Sequence, residues 1–299
     1  MIEVRGLRKL YGDRVAIHGL DLTIGRGVVV GLLGINGAGK TTTMRMLSGS
    51  LSPTQGEVFI DGHAMSTAPL SAKSALGYLP ERVPLYEDMT VRQMLRYAAR
   101  LKGVREPGQA VERVCRRVGL CEVGDRWVRH LSKGYRQRVG FACAILHDPK
   151  VLILDEPTSG LDPAQRVEFR RWIQELAGRG TTVVVSTHVL AEVQSVCEQV
   201  IVLHEGRVVA QDSIEGLTSG KHVIHLEVDG DQEGLETDLK AIIGVEAVRG
   251  VADGGYEVAA SRDVRAEVAR CAASYGLVNL SQRGQLEEVF LGLTREENS

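Results

Sequence analysis

A chain of 299 residues, 43% hydrophobic and 25% charged, has an ordinary water-soluble composition and is long enough to bury a substantial core and divide into two domains. Its apolar runs, such as Val28 to Leu33, fall far short of the roughly 20 residues needed to cross a bilayer, and no signal-peptide pattern opens it, so work at a membrane would need another, spanning chain. The formal charge is −2, with 28 basic and 23 acidic residues over 1–220 against 8 and 15 over 221–299, a mixture of signs that makes no case for nucleic acid. Five cysteines, Cys115, Cys121, Cys143, Cys197 and Cys271, are scattered and odd in number, which points to a reducing cytoplasm and to neither a disulfide framework nor a zinc site.

In chain order, Ile2 to Leu7 and Leu20 to Ile24 read as short strands. Tyr11, just before a turn, offers a flat ring for stacking on a base, and core packing explains it equally well. The apolar strand Val28 to Leu33 runs into Gly34-Ile35-Asn36-Gly37-Ala38-Gly39-Lys40-Thr41, followed by a helix over Thr42 to Gly49. This is a phosphate-binding loop. Glycines let backbone N–H groups converge on phosphate oxygens, and the helix turns its positive end toward the same place. Lys40 supplies a point charge for the β- and γ-phosphates, and the Thr41 hydroxyl is a Mg²⁺ ligand. A turn at Ser52 to Gly56 and a strand at Glu57 to Gly62 follow.

Gly77 to Glu81 form a strand stopped by Pro80, and the texture then becomes helical over about 82–146. Thr90-Val91-Arg92-Gln93 is a capping box, Pro107 opens a second helix, and Ser132 caps a third whose Gly134 permits close backbone approach. Such a helix start can bind an anion, although a capped helix without a ligand looks the same. Val151 to Leu154 is a strand buried on both faces and ends in Asp155-Glu156. In phosphate-loop enzymes the first acid holds Mg²⁺ and the second polarises the attacking water. Asp162 caps another helix after Thr158 to Leu161, and His188 follows the strand Thr181 to Ser186, placed to contact a terminal phosphate or orient water and Glu156. A last hairpin turns at Glu205-Gly206.

Beyond Gly220 the periodicity restarts as β-α-β-β-α-β: strands at His222 to Val228, Val245 to Val251, Tyr256 to Ala260 and Val278 to Gln282, helices at Leu235 to Ile243 and Asp263 to Tyr275. A terminal helix is expected at Gln285 to Leu293. The order suggests a small ferredoxin-like domain, with no motif that carries chemistry, read as a regulatory or dimerisation element over 221–299.

Together these motifs resemble the nucleotide-binding subunit of an ATP-binding cassette (ABC) transporter, over residues 1 to about 215. The resemblance implies an α/β phosphate-loop NTPase of ABC type, with an antiparallel β subdomain, a helical subdomain and the small α+β domain appended to an ATP-binding domain at 1–220. It places Tyr11 as the adenine-stacking aromatic and Asn36, Gly37, Ala38, Gly39, Lys40, Thr41 and Thr42 on the phosphates. Leu131-Ser132-Lys133-Gly134-Tyr135 matches the signature that contacts ATP from the opposite subunit, mainly through Ser132 and Gly134. Asp155 and Glu156 match the Mg²⁺ aspartate and catalytic glutamate, Ser159 to Asp162 the loop crossing the dimer interface, and His188 the switch histidine.

Two departures stand out. Glu81 replaces the usual glutamine and can still reach Mg²⁺ or its water, and Lys133 and Tyr135 replace the usual glycine and glutamine of the signature. These changes, with the ending Leu286 to Leu291, resemble the ABC-2-type exporter branch that includes multidrug, antibiotic-resistance and gliding-motility ATPases. The implied function is ATP hydrolysis with Mg²⁺ in a head-to-tail homodimer, energising export through a separate permease at the cytoplasmic face of the membrane. A soluble ABC ATPase of DNA repair or ribosomes, and an importer subunit, are the alternatives.

Overall fold

The computed structural model describes residues 1–214, 222–229, 233–251 and 255–283, so the helix expected at Gln285 to Leu293 lies outside the described residues. The chain divides into two compact units, Met1–Gln211 and Asp212–Ser299.

In the first unit, β1 (Ile2–Tyr11) and β2 (Arg14–Ile24) form a hairpin longer than the alternation of their sequences suggests. The pairing shifts register between Val4 and Leu7, again at Arg8, and between Lys9 and Leu10, so period-two burial is interrupted. The pattern is therefore legible only at the outer ends. With β4 (Gln55–Ile60) and β5 (His63–Ala64) these strands make a sheet in the order β2-β1-β4-β5. Asp61 and Gly62, both at positive φ, turn β4 into β5.

A six-stranded sheet carries the site in the order β10-β9-β3-β8-β7-β6: β3 (Val29–Leu33), β6 (Leu76–Leu79), β7 (Val151–Asp155), β8 (Thr182–Thr187), β9 (Gln199–His204) and β10 (Arg207–Ser213). Every residue of β3, β7 and β8 is buried, as continuous Val/Ile/Leu runs require of parallel strands covered on both faces. Their register aligns the carboxyl ends: Leu33 faces Thr187, Asp155 faces Ser186 and Leu79 faces Leu154. The loops leaving β3, β6, β7 and β8 therefore open on one edge, where ligands of open α/β sheets bind.

Side-chain caps form at Thr90, Ser132 and Asp162, as their spacing implies. α1 (Lys40–Leu47) begins at the phosphate loop and α2 (Pro69–Ser74) precedes β6. α3 (Val91–Leu101) opens with the complete Thr90–Gln93 capping box, α4 (Pro107–Arg117) with proline in its first turn, and α5 (Lys133–Ile145) at Ser132. α6 (Pro163–Ala177) is capped by Asp162, and a short α7 (Leu190–Val196) follows β8. Phe141 of α5 packs on Phe169 and Trp172 of α6 with ring centroids 5.2 and 5.6 Å apart, so the two helices are tied through aromatic contacts.

The second unit contains β11 (His222–Val228), α8 (Leu235–Lys240), β12 (Val245–Val251), β13 (Gly255–Ala260), α9 (Arg265–Ala273) and β14 (Leu277–Arg283). The sheet order β12-β13-β11-β14 is antiparallel throughout, and the β-α-β-β-α-β succession matches a ferredoxin-like arrangement. Ile224, Leu226, Val258, Leu235, Leu239, Val268 and Ala272 close its core between sheet and helices.

Candidate functional site

The phosphate loop needs its glycines for space as well as for conformation. A Cβ on Gly34 would lie 2.5 Å from the carbonyl oxygen of Leu203, and one on Gly39, at φ +102°, would lie 2.7 Å from Ile17 Cδ1. The first amides of α1 lack intrahelical partners, and Gly39 offers no side-chain cap, so the positive end of the helix remains open to an anion. Ala38 is buried under the loop while Asn36 and Gly37 are exposed on it. Lys40 is buried, and its ammonium donates to the carbonyl oxygens of Gly34 at 2.6 Å and Ile35 at 3.0 Å. Burial pulls its pKa below the usual lysine value, against the opposing pull of the Glu156, Asp155 and Glu81 carboxylates. The loop thus holds a desolvated cation beside a concentration of acids.

Asp155 closes β7 with only 1% of its surface exposed. One carboxylate oxygen accepts from Ser186 Oγ at 2.6 Å and from Thr41 Oγ1 at 3.4 Å, and the other is buried without a hydrogen-bond partner. Burial raises the pKa of this carboxyl, with the charge of Glu81 adding to the rise and the Ser186 hydrogen bond opposing it. An unsatisfied acidic oxygen next to a threonine hydroxyl, within the field of a second carboxylate, is a hard-oxygen set that fits a divalent cation. Among the described residues no cluster of three His, Cys, Asp or Glu side chains forms a complete metal cage. A cation here would draw its remaining ligands from phosphate and water.

Glu156 follows in a left-handed backbone conformation, φ +48°, uncommon for a residue with a side chain. Its amide donates to Ser186 Oγ at 2.9 Å, which fixes the turn and leaves the carboxylate 3.0 Å from Nδ1 of His188. An ionised carboxylate only accepts, so Nδ1 is the donor of this bond. The Glu156 side chain is largely covered, 12% exposed, while that of His188 is 51% exposed. A base poised toward water and an imidazole that orients it can activate a nucleophile beside Lys40 and Asp155.

At the start of α5, Ser132 accepts from the Tyr135 amide at 3.4 Å, and Gly134 is so closely covered that a Cβ would meet Gln165 Oε1 at 2.4 Å. Lys133 reaches across the neighbouring loop: a Cβ on Gly160 would lie against its ammonium. Asp162 accepts from the Gln165 amide at 2.9 Å, capping α6.

The ABC transporter family model matches residues 17–159. A daunorubicin-resistance ATP-binding protein of Streptomyces coeruleorubidus is 34% identical over 305 residues, covering 99% of this chain and 96% of that protein. The chain belongs to the ABC transporter ATP-binding proteins. A lantibiotic transport ATP-binding protein of Streptococcus pyogenes is 33% identical over 216 residues, 72% of this chain and 92% of that one. Among solved structures, the ATP-binding subunit of an ABC transporter superimposes with TM-score 0.68 at 32% identity, over 73% of this chain and 91% of that chain. This ABC protein is accordingly an ATP hydrolase.

In the ABC ATPase, Lys40, Thr41, Glu81, Asp155, Glu156 and His188 meet at one edge of the sheet through the contacts and charges above. Thr42 lies in the first turn of α1. Tyr11 ends β1 with 49% of its surface exposed and the Lys9 ammonium 5.4 Å from its ring centroid, so it is not a core residue. Ser186 and Gln137 are the site residues that sequence reasoning missed. Ser186 Oγ, in a buried strand, donates to the Asp155 carboxylate and accepts from the Glu156 amide, and Gln137 of α5 donates to the Pro157 carbonyl at 2.9 Å, joining α5 to the turn after β7. Ser186 was signalled by a hydroxyl at the end of an otherwise apolar strand, whereas Gln137, between Arg136 and Arg138, carried no such signal.

Proposed function

We propose that this ABC ATPase energises export through a separate membrane-embedded permease of ABC-2 type, by closing with a second copy of itself, head to tail, around ATP. The observation that carries the hydrolytic half is the Glu156–His188 pair, 3.0 Å apart, on the sheet edge that also holds Lys40 and Asp155. Lys40 neutralises the β- and γ-phosphates and the open start of α1 binds their oxygens. Thr41, Asp155 and Glu81 would hold Mg²⁺, which supplies positive charge to the phosphates. Glu156 accepts the proton of the attacking water, and His188 orients the pair toward the terminal phosphate. Tyr11, exposed at the hairpin end, stacks on adenine.

Dimerisation is supported by the start of α5, where exposed Ser132 and tightly covered Gly134 form a second anion-binding surface on a separate helix. Gripping the γ-phosphate of the partner subunit's ATP with that surface makes two shared sites and a closed twofold assembly. The loop Ser159 to Asp162 lies beside it and crosses the interface. Hydrolysis removes the shared γ-phosphate and releases the contact. Export is favoured by the two relatives named for daunorubicin resistance and lantibiotic transport. No helix among the described residues is long and apolar enough to cross a membrane, so a permease partner would hold this chain at the cytoplasmic face.

The test is capture of tagged Glu156→Gln protein from detergent-solubilised membranes with ATP and Mg²⁺, followed by mass spectrometry. Recovery of a polytopic membrane protein supports the reading. Recovery of soluble partners or ribosomes alone overturns it.

A further inference from the structure

Only half of His188 is covered, yet a general base and the group that orients it depend on close positioning. What holds it lies one turn away on α7. Thr158, two residues after Glu156, donates its hydroxyl to Glu192 Oε1 at 2.7 Å, and Thr187, immediately before His188, donates to Glu192 Oε2 at 2.9 Å. Thr187 Oγ1 in turn accepts from the Val189 amide at 3.0 Å, on the other side of His188. Thr158 and Thr187 are 7% and 1% exposed, so water is not at hand to replace the carboxylate. Both Glu192 oxygens are occupied, each by a different catalytic loop.

The platform itself is anchored in the core through Val193. Val193, next to Glu192, is fully buried against β3 at Gly31, where an added Cβ would lie 2.9 Å from Val193 Cγ1. β3 leads directly into the phosphate loop. We propose that Glu192 is a positioning residue for hydrolysis: its carboxylate clips the turn after Glu156 to the turn before His188 and sets the distance between them. Because Thr158 also begins the loop Ser159 to Asp162, the clip carries displacement of that loop to His188. Nothing in the chemistry requires Glu192 to touch ATP. The inference rests on the catalytic roles proposed for Glu156 and His188.

The test uses the full chain and three variants, Glu192→Ala, Glu192→Gln and Thr158→Val, with steady-state ATP hydrolysis and the ring-nitrogen NMR signals of His188 as readouts. Glu192→Ala is expected to lower kcat about tenfold or more with KM within about twofold, and to shift the His188 signals away from the Nδ1–H tautomer. Thr158→Val, near-isosteric and lacking the hydroxyl, should lower kcat in the same direction by a smaller factor. Glu192→Gln should restore most of the rate, since an amide can accept from one threonine and donate to the other. Unchanged kcat in Glu192→Ala, or a fall in kcat with the His188 signals unmoved, overturns the proposal. The NMR readout needs no turnover, so it still reports on the clip if Glu156→Gln proves active and the catalytic reading fails. If Glu192→Ala does not fold, Thr158→Val decides by the same two readouts.

Discussion

His188 Nδ1 lies 3.0 Å from both carboxylate oxygens of Glu156, although the two residues follow different strands of the parallel sheet. The bond from Nδ1 fixes the orientation of the carboxylate, the group proposed to take a proton from water. Glu156→Gln keeps the shape and removes the proposed base. Its turnover should fall by about 100-fold or more while ATP affinity stays within a few-fold, measured as phosphate release and nucleotide binding on the same preparation.

Ser186 serves both acids at once, donating to Asp155 and accepting from the Glu156 amide. Ser186→Ala removes the shorter bond of each, leaving Asp155 Oδ1 with Thr41 at 3.4 Å and the Glu156 amide with the Ser186 carbonyl at 3.2 Å, at a cost of about 1 kcal/mol. Denaturant unfolding should show a lowered midpoint with unchanged slope, and ATP turnover should fall with it.

The Gly34 position tolerates no side chain, because the obstruction is the Leu203 backbone oxygen rather than a movable side chain. Gly34→Ala should displace the phosphate loop and weaken ATP binding at least about tenfold, with a stability loss of about 1–3 kcal/mol from overpacking. Thermal unfolding with and without ATP separates the two effects.

His147 is held neutral in the folded chain, its pKa lowered from 6.5 to about 4, chiefly by burial and secondly by the Lys102 ammonium. A folded-state pKa below the unfolded one means that the unfolded chain binds the proton first. The stability this site provides is full above pH 6.5 and is lost progressively as pH falls toward about 4. Replacing His147 with Gln should flatten the fall in Tm between pH 7 and pH 5, and an unchanged pH profile would contradict the assignment.

How far the sequence announced these features depends on the range of the interactions. The phosphate loop, the Thr90 capping box and the Ser132 and Asp162 caps are local, so their spacing is sufficient and each appears where expected. The long β1–β2 hairpin was visible only at its ends, because its register shifts break the alternation that periodicity reads. α7 carries the buried Val193 and little else to mark it as a helix, and it was not anticipated. Ser186 reaches across the sheet to Asp155, and Glu192 reaches back to Thr158, relationships that only tertiary pairing creates. Tyr11 left two readings open from sequence, and its exposure decides against the core.

The most direct measurement of the central claim is the mass of Glu156→Gln protein in solution, by light scattering or sedimentation, with ATP and Mg²⁺ and without them. Shared sites that need Lys40 of one copy and Ser132 of the other predict a stable dimer with ATP, dissociating when ATP is removed and abolished by Ser132→Arg. A monomer at saturating ATP, with nucleotide demonstrably bound, would contradict ATP-driven closure.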